Sequence, residues 1–319
     1  GMHGRSPVEQ LQYLAVFGRA IESETFMSYS SMRVAVTNLY IEACAPLRLL
    51  AQRDLLVAIG GRDPSAYVAI ARALGGSEGT ARDVAERSGQ RFGSSLRRKI
   101  AHLEGRGWLA RRRRYGGRGT SPVRYRIRRA FDRFYFGLVD PHEVPGHGSE
   151  AARLWKQAIR PALLSHVDRF LPLFLRQVCR KHGGALGLDL SGEDGLWRGY
   201  GAFGRPVQFD LVARLEDGRL AIGRVFSDRE RPGARAVLGF RMDVERVGGL
   251  SGSASERASW PSELRGDRVV PIFLRPSGFD SAFVQDAEGL PGRSAVLLDA
   301  GRLLQAASRS TSSPRAAGG

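Results

Sequence analysis

Thr80-Ala-Arg-Asp-Val-Ala-Glu-Arg-Ser-Gly-Gln-Arg-Phe-Gly-Ser-Ser-Leu-Arg-Arg-Lys-Ile-Ala-His-Leu-Glu104 reads as two short helices around a turn. The first runs to Ser88 and is stopped by Gly89. After Gln90-Arg91-Phe92-Gly93, Ser94 or Ser95 is placed to cap the second, which runs to about Glu104. Leu96, Ile100 and Leu103 fall at i, i+4 and i+7, one apolar stripe, so Arg97, Arg98 and Lys99 lie mostly on the outward side. Upstream, Tyr67 to Leu74 is a further short helix closed by Gly75-Gly76, with Pro64 suited to its first turn. Downstream, Trp108-Leu-Ala-Arg111 and Val123-Arg-Tyr-Arg-Ile127 alternate as two strands around Gly116-Gly-Arg-Gly119.

Three helices followed by a hairpin is the order of a winged helix-turn-helix, here over residues 63–130. Its charge is concentrated. Between Arg91 and Arg129 stand fourteen of the chain's 49 basic residues against one acid, Glu104, so this stretch carries +13 of the net +17 and leaves +4 elsewhere. Such self-repulsion is tolerated where a polyanion neutralises it, which makes double-stranded DNA the expected partner. A recognition helix needs base-reaching side chains near its start and cations for the flanking phosphates. Arg91, Ser94, Ser95, Arg97, Arg98 and Lys99 hold those positions on the helix and its turn. Arg111, Arg112, Arg113, Arg114, Arg118 and Arg124 hold them on the wing. Helix-turn-helix units also dock proteins, and arginine runs also form solvated faces, so the charge alone leaves that alternative open.

The 319-residue chain as a whole is of ordinary composition, 42% hydrophobic and 25% charged, with room for two or three domains. No apolar run approaches the roughly 18 residues of a membrane span, and the start lacks the apolar core of a secretory signal. Cys44 and Cys179 sit in helix-like apolar patterns and read as buried, reduced thiols. These points predict a cytoplasmic protein without membrane contact. No Gly-x-x-x-x-Gly-Lys-Ser/Thr occurs, which excludes P-loop hydrolysis. The six His residues share no metal-ligand spacing with the two Cys, and no Gly-x-Ser-x-Gly elbow is present, so no cofactor and no metal are expected.

Val8 to Arg53 reads as mostly helical, and Ala151 to His182 as a helix interrupted at Pro161. Between the wing and that helix, residues 131–148 end in Pro141, Pro145 and several Gly and His, a linker by composition. Val207 to Ala213, Leu220 to Phe226, Val269 to Leu274 and Ala295 to Asp299 are strands. Gly248 to Ser262 reads as mobile and residues 305–319 as a disordered tail.

Val16-Phe-Gly18, the run from Arg53-Asp-Leu-Leu56 to Tyr67-Val-Ala-Ile70, and Tyr125-Arg-Ile127 followed by Phe131-Asp-Arg-Phe-Tyr-Phe-Gly-Leu-Val-Asp-Pro141 occur collinearly. In this order the chain, from about Leu14 to Leu304, resembles the C-terminal portion of the archaeal-type AAA ATPases. The resemblance implies lid-like helices, a winged helix and a restriction-endonuclease-like domain, without the ATPase core. It implies a multidomain α+β fold: a helical segment at 1–62, the winged helix at 63–130, the linker at 131–148 and an α/β nuclease-like domain at 149–304.

That nuclease-like domain carries a helix Glu, a strand Asp and a Glu-x-Lys strand, which together hold Mg²⁺, activate water and stabilise charge. Here Leu175-Arg-Gln-Val-Cys-Arg180 places Arg176 at the Glu, Gln208-Phe-Asp-Leu-Val-Ala213 keeps Asp210, and Ile222-Gly-Arg-Val-Phe-Ser227 puts Arg224 and Phe226 at Glu and Lys. One carboxylate among two arginines is a poor divalent-metal site, so the resemblance implies a nuclease fold without catalytic residues. Arg176, Asp210 and Arg224 then form either a structural ion pair or a reused phosphate-binding surface. The expected function is non-enzymatic, regulatory DNA binding, with the nuclease-like domain as scaffold, homodimerisation unit or auxiliary clamp. Two rivals stand beside it. One is a divergent Mg²⁺-dependent nuclease using Asp210 with Asp189, Glu193, Asp194 or Asp228. The other is an accessory subunit that supplies the winged helix to a separate ATPase partner.

Overall fold

The computed structural model describes residues 4–18, 29–42, 44–113, 115, 122–142, 149–200, 205–248, 268–290 and 295–309. The fold is mixed α+β with two sheets. It partitions into one compact unit of residues 1–112 and 122–169 and a second of residues 113–121 and 170–319. No single helix among the described residues is long and apolar enough to cross a membrane.

The first unit is largely helical. α1 (Pro7–Phe17) starts from a reciprocal cap between Ser6 and Glu9, with Pro7 pre-set for the first turn. α2 (Met32–Val36) widens into a π turn at Thr37–Ile41, and α3 (Pro46–Ile59) ends on Gly60 at φ 65°. α4 (Ser65–Gly75), β1 (Gly79–Thr80), α5 (Ala81–Ser88) and α6 (Ser94–Gly105) follow. β2 (Leu109–Arg112) and β3 (Arg124–Ile127) pair antiparallel, and β1 adds to the other edge of β3, giving the order β1-β3-β2. The expected turn at residues 116–119 lies outside the described residues.

Residues 131–142 are not a linker. α7 (Ala130–Phe134) and a π turn at Tyr135–Val139 bury Phe131, Phe134, Tyr135, Phe136 and Val139. Their burial outweighs the prolines that follow, because aromatic side chains carry large apolar area. Phe17, Tyr40, Phe134 and His166 form a continuous run of ring contacts at 5.8, 4.9 and 5.4 Å through the core of this unit. Gly75 and Gly137 bring two backbones together. A Cβ on Gly75 would stand 2.3 Å from the Gly137 nitrogen, and one on Gly137 would stand 2.6 Å from the Gly75 carbonyl carbon.

α8 (Ser149–Leu154) passes through a π turn at Trp155–Ile159 into α9 (Arg160–His182). Pro161 does not break the helix. Pro161 is the second residue of α9, and the Arg160 N–H just before it reaches back five residues to the Trp155 carbonyl in the wider π turn. The boundary expected at 148/149 falls inside α9 instead, between Arg169 and Phe170. The reason is burial of Ala151, Trp155, Ile159 and His166 in the helical unit, where His166 Nε2 meets the Ala15 carbonyl at 3.1 Å.

The second unit holds a five-stranded sheet of order β4-β5-β6-β7-β8. β4 (Leu190–Tyr200), β5 (Pro206–Leu215) and β6 (Leu220–Val225) are antiparallel; β7 (Val269–Leu274) and β8 (Val296–Leu298) continue parallel to β6. α10 (Ala234–Gly248), α11 (Ser281–Glu288) and α12 (Ala300–Arg309) alternate with the parallel strands. The core joins Trp197, Phe209, Ile222, Phe240, Phe273 and Phe283. Tyr115, expected in the wing, belongs to this core, and its N–H donates to the Leu196 carbonyl at 2.9 Å. α12 also corrects the expected disordered tail, since residues 305–309 are helical with Ala306 buried, and residues 310–319 lie outside the description. Cys179 is buried, and burial pushes its thiol up to about 12. Cys44, expected buried, is exposed in the break between the π turn and α3.

Candidate nucleic-acid interface

α5 is tightly set. Thr80 accepts from the Asp83 N–H at 3.2 Å while the Asp83 carboxylate accepts from the Thr80 N–H at 2.8 Å. Burial pushes the Asp83 carboxyl up, but the two Thr80 bonds, then Arg124 and Arg87, hold it below its ordinary value. Gly89 at φ 66° ends α5, and the Gln90 side chain donates to the Ala66 carbonyl at 2.9 Å, which ties the turn to α4.

α6 buries Leu96, Ile100 and Leu103 as the spacing predicts, and leaves Ser94, Ser95, Arg97 and Arg98 exposed. The cap position is Gly93, so neither Ser94 nor Ser95 caps the helix as expected. They occupy the first turn instead, with their side chains outward. Lys99 Nζ donates to Ser95 Oγ at 3.2 Å, which turns that lysine along its own helix. Arg91 and Arg98 make no hydrogen bond or ion pair among the described residues.

The strand arginines divide into two sets. On β2 Arg111 is exposed and Arg112 half-buried; Arg113, past the end of the strand, is exposed and belongs to the second unit. Arg124 is not available as expected: it sits 3.8 Å from the Asp83 carboxylate and donates to the Glu78 carbonyl at 3.2 Å. Arg126 likewise stands 3.9 Å from Glu78. Pairing explains the division, because Arg124 faces β1 and the start of α5, where both acids lie. Arg114 and Arg118 lie outside the described residues. Tyr125, opposite Arg111 in the β2–β3 ladder, links strand and helix. Burial raises its hydroxyl, Glu104 adds to this, and Arg111 and Arg97 pull it back, so both cations act on one point.

The sequence reading missed Phe92. It is 40% exposed in the turn before α6, with the Arg97 guanidinium 4.8 Å and that of Arg82 5.7 Å from the ring centre. An aromatic in an otherwise polar turn between cations was the available signal.

In the second unit, Asp210 on β5 and Arg224 on β6 come from adjacent strands and Arg176 from α9. Asp210 Oδ2 accepts from the Val225 N–H and Oδ1 from Gln208 Nε2, both at 2.9 Å. Arg224 donates instead to Asp243 on α10 at 2.8 Å, a carboxylate the sequence reading missed. Arg176 is buried along α9, with Nε donating to the Pro172 carbonyl at 3.1 Å. Phe226 is buried among Phe273, Phe279 and Phe283. Asp194 pairs with Arg180, Asp228 accepts from the Ser277 N–H at 2.9 Å, and the Glu193 side chain lies outside the description. Among the described residues no three His, Cys, Asp or Glu side chains stand together as a metal site.

Compared with known proteins, the chain matches no family model, no curated protein and no solved structure.

Proposed function

We propose that the chain is a non-enzymatic, regulatory protein that binds duplex DNA, with α4 to β3 as a winged helix-turn-helix and α6 as its recognition helix. The observation that carries this is the exposed basic set on the turn, helix and strand of one unit: Arg91, Arg97 and Arg98 on α6 and the turn before it, and Arg111 on β2. Asp83 and Glu78, the acids at the start of α5 and before β1, lie against Arg124 and Arg126, and no ion pair is formed by Arg91, Arg97, Arg98 or Arg111 among the described residues. Uncompensated guanidinium groups of one sign fit a row of phosphates.

The second unit fits a restriction-endonuclease-like scaffold in which the metal-binding acids have been replaced. The support is chemical: both oxygens of Asp210 already accept hydrogen bonds, Arg224 stands on the neighbouring strand where an acid would be needed, and Asp243 neutralises that arginine. The partner of Arg224 is Asp243 and not the expected Asp210, and its engagement there speaks against a reused phosphate surface at that arginine. The likeness to the C-terminal portion of archaeal-type AAA ATPases is consistent with both parts.

The test is anisotropy of a labelled duplex with wild type and with Arg97→Ala/Arg98→Ala. Loss of two phosphate contacts is expected to weaken binding about tenfold or more, uniformly across sequences. Equal affinity of the two proteins overturns the assignment of α6. Mg²⁺-dependent plasmid cleavage abolished by Asp210→Ala overturns the non-enzymatic reading.

A further inference from the structure

We infer that Phe92 contacts the C5-methyl group of thymine in the major groove and so sets a base preference beside α6. The inference rests on the DNA-binding reading above and deepens it from backbone attraction to sequence discrimination.

Phe92 lies two residues ahead of α6, at the end of the helix from which side chains reach base edges. At 40% exposed, its ring forgoes part of the stabilisation that burial would bring, whereas Leu96 four residues on is 1% exposed. Arg97 and Arg82 stand over the ring at 4.8 and 5.7 Å, which holds it in place. Those guanidinium groups already occupy part of its π surface, so a stacked base would have to displace them. The remaining surface is C–H and offers neither donor nor acceptor. A major groove presents donors and acceptors on every base pair and one apolar group, the thymine methyl. That methyl is the group against which an exposed ring edge gains by desolvation. The exposed Arg91, next to it in the chain, and Arg98 on α6 supply the charge that brings the duplex there.

Duplexes enriched from random sequence by the wild-type chain are amplified with thymidine or with deoxyuridine, which lacks only the methyl group. The wild type is expected to bind the thymine form about three- to fivefold tighter, the worth of roughly one buried methyl. Phe92→Ala, checked for an unchanged melting temperature, is expected to bind both forms alike. Arg98→Ala is expected to lose affinity for both forms equally while keeping the preference. A wild type indifferent to the methyl, or a Phe92→Ala that keeps the preference, overturns the inference while leaving DNA binding intact. Failure to bind either form defeats the DNA-binding reading itself.

Discussion

Asp132 and His166 show what single buried titratable residues do in the helical unit. Asp132 is 1% exposed, and its Oδ1 has no hydrogen-bond partner among the described residues. Burial, resisted by Arg129 at 2.8 Å, raises its carboxyl to about 7. A carboxyl raised in the native state favours folding while protonated, so its contribution falls as pH rises from about 4 to about 7. His166 runs the other way. Burial lowers it to about 4, so stability falls as pH drops from about 6.5 towards 4, where the unfolded chain takes the proton first. The two slopes oppose each other in wild type. In Asp132→Asn the opposing carboxyl slope is gone, so melting temperatures should decline steadily on acidification from about pH 6.5 to pH 4. Superimposable pH–stability profiles for the two proteins would refute this.

Among the elements, α4 and the π turn after α7 depend on each other through the Gly75–Gly137 approach. Backbone cannot swing aside as a long side chain can, so Gly137→Ala should cost about 1–3 kcal/mol in urea unfolding. An unchanged midpoint would mean that the two segments part easily. Legibility also varied by element. α5 and α6 were readable because glycines mark their ends and Leu96, Ile100 and Leu103 keep helical spacing. β5, β6 and β7 were readable as apolar runs. β4 was not: register shifts between Leu190 and Asp194 and between Gly195 and Trp197 disrupt its alternation. α10 has Val237, Phe240, Val244 and Val247 at helical spacing, but glycines at 233, 239 and 248 disguise it. Of the candidate interface, the charge was legible. Which arginines are engaged was not, because Arg124 and Arg111 differ only in the strand face they share with acids.

At the scale of the whole molecule, one unit carries exposed arginines, while in the other Arg224 is engaged by Asp243. Net charge of +17 gives attraction to any polyanion at low salt, so affinity alone is weak evidence. The number of ions released on binding is stronger, because it counts phosphates in contact with the surface. The decisive measurement is duplex affinity against salt concentration. With about six phosphates neutralised, log K should fall against log salt with a slope of roughly −5. A slope near zero, with binding that persists unchanged as salt rises, would contradict the claim that these exposed arginines are built for DNA.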